Sequence, residues 1–219
     1  MIHHLHQEIT LLKKQVAAQA TMVEQAVRQT LRAMEEKNAT LAVEIIERDD
    51  TIDQEEVRLE EECLKVLALH QPVAGDLRYI VTLLKVNTEL ERIGDLAVNI
   101  AERTVHFLET NADMSKIDMK PMFLEVLNSL KNALDAFLER DCYLASQVIA
   151  SDDKVDDYHR ENFQTVSRLL SEETREVGSL LDFLNISRNL ERIADCCTNI
   201  GEDVLYLEQG RIVRHVHEK

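Results

Sequence analysis

The chain has 219 residues, of which 45% are hydrophobic, with five glycines, two prolines and no tryptophan, and its formal net charge is −16 at pH 7. This charge excludes a protein that holds nucleic acid through its own field, because phosphate binding needs an excess of Lys and Arg. The sequence has no apolar run of the roughly 18 residues that a membrane-spanning helix needs, so direct membrane insertion is not expected.

Apolar residues recur at the helical spacing i, i+3, i+4 and i+7 along most of the chain, which predicts an all-α fold. Breaks are indicated at Asn38, at Pro72, which cannot continue a helix, and at Gly210 after the last helix. The polar segment 111–121 is the predicted linker between two halves. The six predicted helices cover about His4–Glu36, Ala39–Ala68, Val73–Thr110, Met122–Leu138, Arg140–Leu170 and Glu172–Glu208.

The third and sixth predicted helices carry the same pattern, Leu-Glu-Arg-Ile-x-Asp-x-x-x-Asn-Ile-x-Glu. The copies are Leu90–Glu102 and Leu190–Glu202, and eight of their thirteen residues are identical. A second similarity relates residues 40–53 to 143–156. A period near 100 residues is too long for a solenoid and predicts two tandem antiparallel three-helix bundles, related by internal duplication. The predicted domains are residues 1–112 and 113–219.

The polar residues that the two copies share fall on one side of each helix. At 3.6 residues per turn they occupy roughly 80° of arc, with the apolar residues on the opposite side. Helix packing requires only that apolar residues recur at helical spacing. The repetition of the polar residues as well therefore indicates a function. The residues of these two ridges are Glu91, Asp95, Asn99 and Glu102 in the first copy and Glu191, Asp195, Asn199 and Glu202 in the second.

Acidic residues on the second and fifth predicted helices are placed to face these ridges. Asp49 and Asp53 are four residues apart, hence on one helix face, and Asp152 and Asp156 repeat that spacing. Like charges at this spacing destabilise a helix by roughly 0.2–0.5 kcal/mol per pair, and a bound cation would remove the repulsion. Oxygen donors suit Mg²⁺, Mn²⁺, Ca²⁺ or iron. The alternative interpretation is the solvated surface of an acidic protein, and the pattern leaves both open.

The sequence lacks the usual catalytic patterns. Glu-x-x-His, which di-iron helical bundles use, does not occur, and neither does a glycine-rich phosphate loop or a nucleophile with a convincing base. The four cysteines form no Cys-x-x-Cys pair, which argues against a zinc–thiolate site. We therefore expect that the protein is not an enzyme. The first residues show no signal-peptide core, so a cytoplasmic location is expected.

With these residues in view, the chain resembles the PhoU family of regulators of phosphate uptake. Residues 71–102 and 182–215, together with the two acidic stretches, carry the resemblance in register with both halves. The resemblance implies two three-helix bundles and a homodimer. It also implies a cytoplasmic negative regulator that couples the ATPase of the phosphate ABC transporter to a sensor histidine kinase, so that the phosphate-starvation response is repressed when phosphate is ample.

The resemblance further implies divalent or trivalent metal ions, such as iron, zinc, manganese or magnesium, on the acidic faces. The competing hypothesis is a helical-bundle metal store or metal-dependent enzyme without an adaptor role. Carried over by position, the implied metal ligands are Asp49, Asp53, Glu91, Asp95, Asn99, Asp152, Asp156, Glu191, Asp195 and Asn199.

Overall fold

The computed structural model describes residues 2–110, 117–172 and 177–210. These ranges contain helices and no strand, which confirms the all-α prediction. The predicted boundary between residues 112 and 113 lies outside the described residues. The seven helices in the described ranges are α1 (Ile2–Glu35), α2 (Ala39–Glu47), α3 (Asp49–His70), α4 (Ala74–Glu109), α5 (Lys120–Glu139), α6 (Cys142–Glu172) and α7 (Val177–Gln209).

The prediction of one continuous helix over Ala39–Ala68 is wrong, because the structure divides it into α2 and α3 at Arg48. The Arg48 N–H donates to the carbonyl of Ile45 at 3.3 Å, and the Arg48 carbonyl accepts from the Thr51 N–H at 3.1 Å. These i→i+3 bonds tighten the turn and interrupt the α-helical ladder for one residue. As a result, α3 begins with Asp49 in its first turn, where the helix dipole favours a negative charge.

The other predicted breaks are confirmed, and each has a local cause. Asn38 caps α2, since its Oδ1 accepts from the Leu41 N–H at 3.0 Å. Gln71 adopts the left-handed conformation at φ 45° and ends α3 directly before Pro72. Gly210 follows α7 at φ 67°, a conformation in which a side chain would be strained.

The helices form two bundles that lie side by side. In the first half α1, the α2–α3 pair and α4 pack on one another, and in the second half α5, α6 and α7 do so. The bundles meet mainly through α4 and α7, and α1 also contacts α5. Buried side chains of both halves form one continuous hydrophobic core, to which Ile93 and Ile193 contribute fully buried side chains. Among the described helices, none is long and apolar enough to cross a membrane.

Ion pairs and a hydrogen bond between His106 and Asp182 tie α4 to α7, which run antiparallel. Lys85 Nζ lies 3.0 Å from Oδ1 of Asp203, whose side chain is only 2% exposed. Further along, His106 Nδ1 lies 2.5 Å from Oδ2 of Asp182, and Arg103 lies 3.7 Å from its Oδ1. The basic groups belong to α4 and the buried acids to α7. Because a buried carboxylate that loses its partner is strongly destabilising, these contacts disfavour other registers of the two helices.

A glycine lies at the contact between α3 and α4. A Cβ at Gly94 would lie 3.2 Å from Ile52 Cγ2 and 3.9 Å from Asp49 Oδ1. A contact of 3.2 Å is tighter than carbon atoms normally pack, so the Ile52 side chain would have to move by a few tenths of an ångström to admit a side chain at position 94. Gly94 therefore allows Ile52 to pack closely against α4, next to Asp49.

The shared core predicts that damage in one half weakens the other. We expect Ile193→Ala to lower the free energy of unfolding by about 2–5 kcal/mol, because it leaves a cavity in a fully buried position. Denaturant titration measures the loss. Hydrogen exchange by mass spectrometry should then show faster exchange in peptides of α1 as well as of α6. The control is Leu181→Ala, which removes a 46% exposed side chain of the same helix and should change stability by less than about 0.5 kcal/mol. Faster exchange in the second half alone would contradict a shared core.

Candidate metal centre

Two groups of carboxylates lie where helices pack together, one between α3 and α4 and the other between α6 and α7. We call Asp49, Asp53, Glu91 and Asp95 the first cluster, and Asp152, Asp156, Glu191 and Asp195 the second cluster. The structure thus brings the predicted carboxylate ligands together in pairs of helices, as the sequence analysis expects for an up-down-up bundle.

The first cluster is the more compact. One carboxylate oxygen from each of Asp49, Asp53 and Asp95 lies within 4.8 Å of the other two, an arrangement found only once among the described residues. Burial raises the pKa of Asp49 to about 6, and the neighbouring charges of Asp53 and Asp95 add to the shift. Burial and the same neighbours also raise the pKa of Glu91. The carboxylates therefore repel one another at neutral pH.

The second cluster shows the same electrostatics. Burial raises the pKa of Asp152 to about 6, with contributions from Asp195 and Asp156, while a hydrogen bond with Thr198 acts in the opposite direction. Burial likewise raises the pKa of Asp195 to about 6, and the charge of Glu191 adds to the shift. Both halves thus hold carboxylates that resist ionisation.

One oxygen in each cluster is buried without a hydrogen-bond donor. Oδ1 of Asp49 and Oδ1 of Asp152 occupy equivalent places in the two halves, and neither finds a hydrogen-bond partner among the described residues. A buried polar atom left unsatisfied costs about 1–3 kcal/mol, and more when it is charged. A hard cation would satisfy these oxygens and neutralise the repulsion around them, so the donor set fits Mg²⁺, Mn²⁺ or iron.

The two asparagines of the ridges are placed differently. Asn99 is exposed on α4. Asn199 donates from Nδ2 to Glu89 Oε1 at 3.2 Å, so its amide nitrogen is engaged between α7 and α4. Their role as metal ligands stays a prediction.

Glu89 is a residue that the sequence analysis missed. Its side chain is 12% exposed, Arg92 lies 3.6 Å from its Oε1, and its Oε2 has no hydrogen-bond partner among the described residues. The charge of Glu89 adds to the burial that raises the pKa of the Cys196 thiol. In the sequence, only a difference between the two motif copies distinguishes this position: Glu89 precedes the first copy, whereas Asn189 precedes the second.

Comparison with known proteins also finds two similar halves in the chain. The family model described as the PhoU domain matches residues 16–104 and 119–204, one copy in each half. The "phosphate-specific transport system accessory protein PhoU homolog 1" of Thermotoga maritima is 34% identical over 214 residues, which cover 96% of this chain and 92% of that protein. The accessory protein PhoU of Escherichia coli is 31% identical over 95% of this chain and 87% of its own length.

Solved structures agree with these matches. The crystal structure of PhoU from Pseudomonas aeruginosa superposes with a TM-score of 0.91 at 32% sequence identity, covering 94% of this chain and 99% of that one. The crystal structure of the phosphate transport system regulatory protein PhoU from Streptococcus pneumoniae gives a TM-score of 0.89 at 26% identity, with 95% and 99% covered. The tandem-bundle architecture is therefore shared with both structures.

The raised pKa values predict how the stability of the metal-free chain depends on pH. Asp49, Asp152 and Asp195 have pKa values of about 6 in the folded chain, against an ordinary value of 3.8. The folded state binds more protons than the unfolded state between these values, so the contribution to stability is full below about pH 4 and is lost as the pH rises through 6. Differential scanning calorimetry should therefore show that these residues favour a higher Tm at pH 5.5 than at pH 7.5.

The control for this pH dependence is the triple variant D49N/D152N/D195N, in which the three groups no longer titrate. Its Tm should change less between pH 5.5 and pH 7.5 than that of the unmodified chain, in metal-free buffer. Equal pH dependence of the two proteins would contradict the raised pKa values.

Proposed function

Because the chain belongs to the PhoU family, we propose that it is an accessory protein of a phosphate-specific transport system and regulates phosphate uptake. The observation that carries the proposal is the match of the PhoU domain to both halves, with likeness to PhoU proteins over nearly the whole chain. The absence of the usual catalytic patterns from the sequence suits a protein that acts by binding rather than by turnover.

The partners in this proposal are the ATPase of the phosphate ABC transporter and a membrane sensor histidine kinase. Both present surfaces to the cytoplasm, where the proposal places this chain, as a homodimer. The net charge of −16 supports docking on basic surfaces, because complementary charge speeds association and suppresses wrong partners. Bound to both partners, the chain would hold the kinase in the state that represses the starvation response when phosphate is ample.

This adaptor role predicts capture of both partners and a loss of repression when the protein is missing. In a strain that lacks the gene, a reporter of the phosphate-starvation response should be active at high phosphate, and the cloned gene should restore repression. The purified chain should retain the ATPase and the kinase in pull-down experiments at high phosphate. Normal repression in the deletion strain, or failure to retain either partner, would contradict the proposal.

The competing hypothesis, a metal store or metal-dependent enzyme without an adaptor role, uses the same carboxylates. The specific observation in its favour is the compact first cluster, which brings three ligand oxygens together. The pull-down separates the two hypotheses, because a metal store binds cations without retaining the transporter ATPase or the kinase.

We propose further that both clusters bind metal ions, which would join α3 to α4 and α6 to α7. Support comes from the unsatisfied oxygens of Asp49 and Asp152 and from the mutual repulsion of the carboxylates. Iron, zinc, manganese and magnesium are the candidate ions. A metal bound there would neutralise the acidic faces and stiffen each helix pair, so that the docking surfaces depend on metal occupancy.

Metal binding predicts that loss of one ligand weakens it. We expect Asp95→Asn to lower the affinity of the first cluster for Mn²⁺ at least about tenfold, since even outer-shell partners of metal ligands contribute that much. Isothermal titration calorimetry measures the change. Asp76→Asn is the matched control, because this residue lies on the same helix about 28 Å from Asp95 and should leave the affinity unchanged. Equal Mn²⁺ binding by both variants would contradict a site at the first cluster.

A further inference from the structure

The two carboxylate clusters are equivalent in position but not in charge. We propose that the first cluster binds hard cations at least tenfold more tightly than the second, so that the first half fills first. This inference rests on the proposed metal binding and adds an order of filling that the duplication alone does not suggest.

The difference begins on the helices that carry the aspartate pairs. In α3 the stripe of Asp49 and Asp53 continues with Glu56 and Glu60, which follow at spacings of three and four residues and so lie on the same helix face. Glu56 faces α4, because its Oε1 accepts from Asn87 Nδ2 at 3.5 Å, and its charge acts on Glu91 of the first cluster. The carboxylates of α3 therefore extend the first cluster by one further turn.

In α6 the two positions that continue the stripe beyond Asp156 carry no carboxylate. The residues equivalent to Glu56 and Glu60 are His159 and Phe163. Nδ1 of His159 lies 2.9 Å from the hydroxyl oxygen of Ser187, so this ring nitrogen is engaged with α7. Phe163 offers no ligand atom. The acidic stripe of α6 therefore lacks the two carboxylates that continue the stripe of α3.

The opposing helices differ in positive charge, and this difference also favours cation binding by the first cluster. Three residues before Glu91 and Glu191, α4 carries Thr88 and α7 carries Arg188. The positive charges of Arg188 and Arg192 act on Glu191. Those of Arg192 and of Arg92, which belongs to α4, act on Asp195. Three exposed arginines thus add positive charge near the second cluster.

No described arginine or lysine plays this part in the first cluster. The charged groups that act on Asp49, Glu56, Glu91 and Asp95 are other carboxylates. Affinity for hard cations rises with the number of charged oxygen ligands and falls with nearby positive charge. The compact geometry of Asp49, Asp53 and Asp95 acts in the same direction, because their oxygens need little movement to share an ion.

The first experiment assigns affinities to the two halves. Mn²⁺ is titrated into the metal-free full chain by isothermal titration calorimetry, with native mass spectrometry to count bound ions. We expect two phases of Mn²⁺ binding, one of high affinity (the tight phase) and one of low affinity (the weak phase). The variant D152N/D195N should keep the tight phase, and D49N/D95N should keep only the weak one. Equal affinities for the two halves, or the reverse order, would overturn the inference and leave the proposed metal binding intact. No Mn²⁺ bound by either half would overturn both.

The second experiment tests the electrostatic cause. Thr88→Arg should weaken the tight phase at least tenfold, and Arg188→Thr should strengthen the weak phase by a similar factor. Thr88→Gln and Arg188→Lys are the matched controls, because the first adds length without charge and the second keeps the charge. Circular dichroism confirms that each variant is folded. Unchanged Mn²⁺ affinities in both charge-altering variants, with the helices intact, would overturn the assignment of the difference to these residues.

Discussion

Like charges held together between packed helices are the constraint on which the rest of this structure depends. In each half an aspartate pair and a ridge of acids come together, and burial first, then the resulting repulsion, raises the pKa values of Asp49, Asp152 and Asp195. The hydrophobic core must hold the helices together against this repulsion. Gly94 allows close packing of side chains between α3 and α4, and the apolar sides of the two motifs supply fully buried residues such as Ile93 and Ile193. A cation bound at either cluster would remove this repulsion.

The interface between α4 and α7 joins the two bundles into one packed unit. These helices carry the two copies of the motif, so the ridges belong to the same packed pair. The ion pairs at Asp182 and Asp203 and the shared core make independent movement of the halves costly. Arg92 of α4 even contributes to the electrostatics of the second cluster. Each ridge therefore lies on a helix that packs directly against the other half.

Duplication preserved the architecture while the surroundings of the two clusters diverged. The aspartates and glutamates that face each other are the same in both halves, whereas their neighbours differ. Glu56, Glu60 and Thr88 of the first half correspond to His159, Phe163 and Arg188 of the second. Residues that contact each other across the α4–α7 interface, such as Glu89 and Asn199, also lack an identical counterpart pair, since the equivalent positions are Asn189 and Asn99. Two clusters with the same central carboxylates can therefore differ in their electrostatic surroundings within one duplicated fold.

The sequence by itself determined the helical class, most helix boundaries, the duplication and the carboxylates of both clusters, because these follow from local spacing and from a repeat. It did not determine the break at Arg48, which depends on a few i→i+3 bonds within an otherwise good helical pattern. Nor did it identify Glu89 or the engagement of the Asn199 amide, because both depend on which helix of the other half lies alongside. Only the tertiary structure decided that the two bundles share one core and that the first cluster is the more compact. Periodicity defines which face of a helix is apolar, but the partner of that face and the distance between two polar faces are fixed by the packing of side chains far apart in the chain.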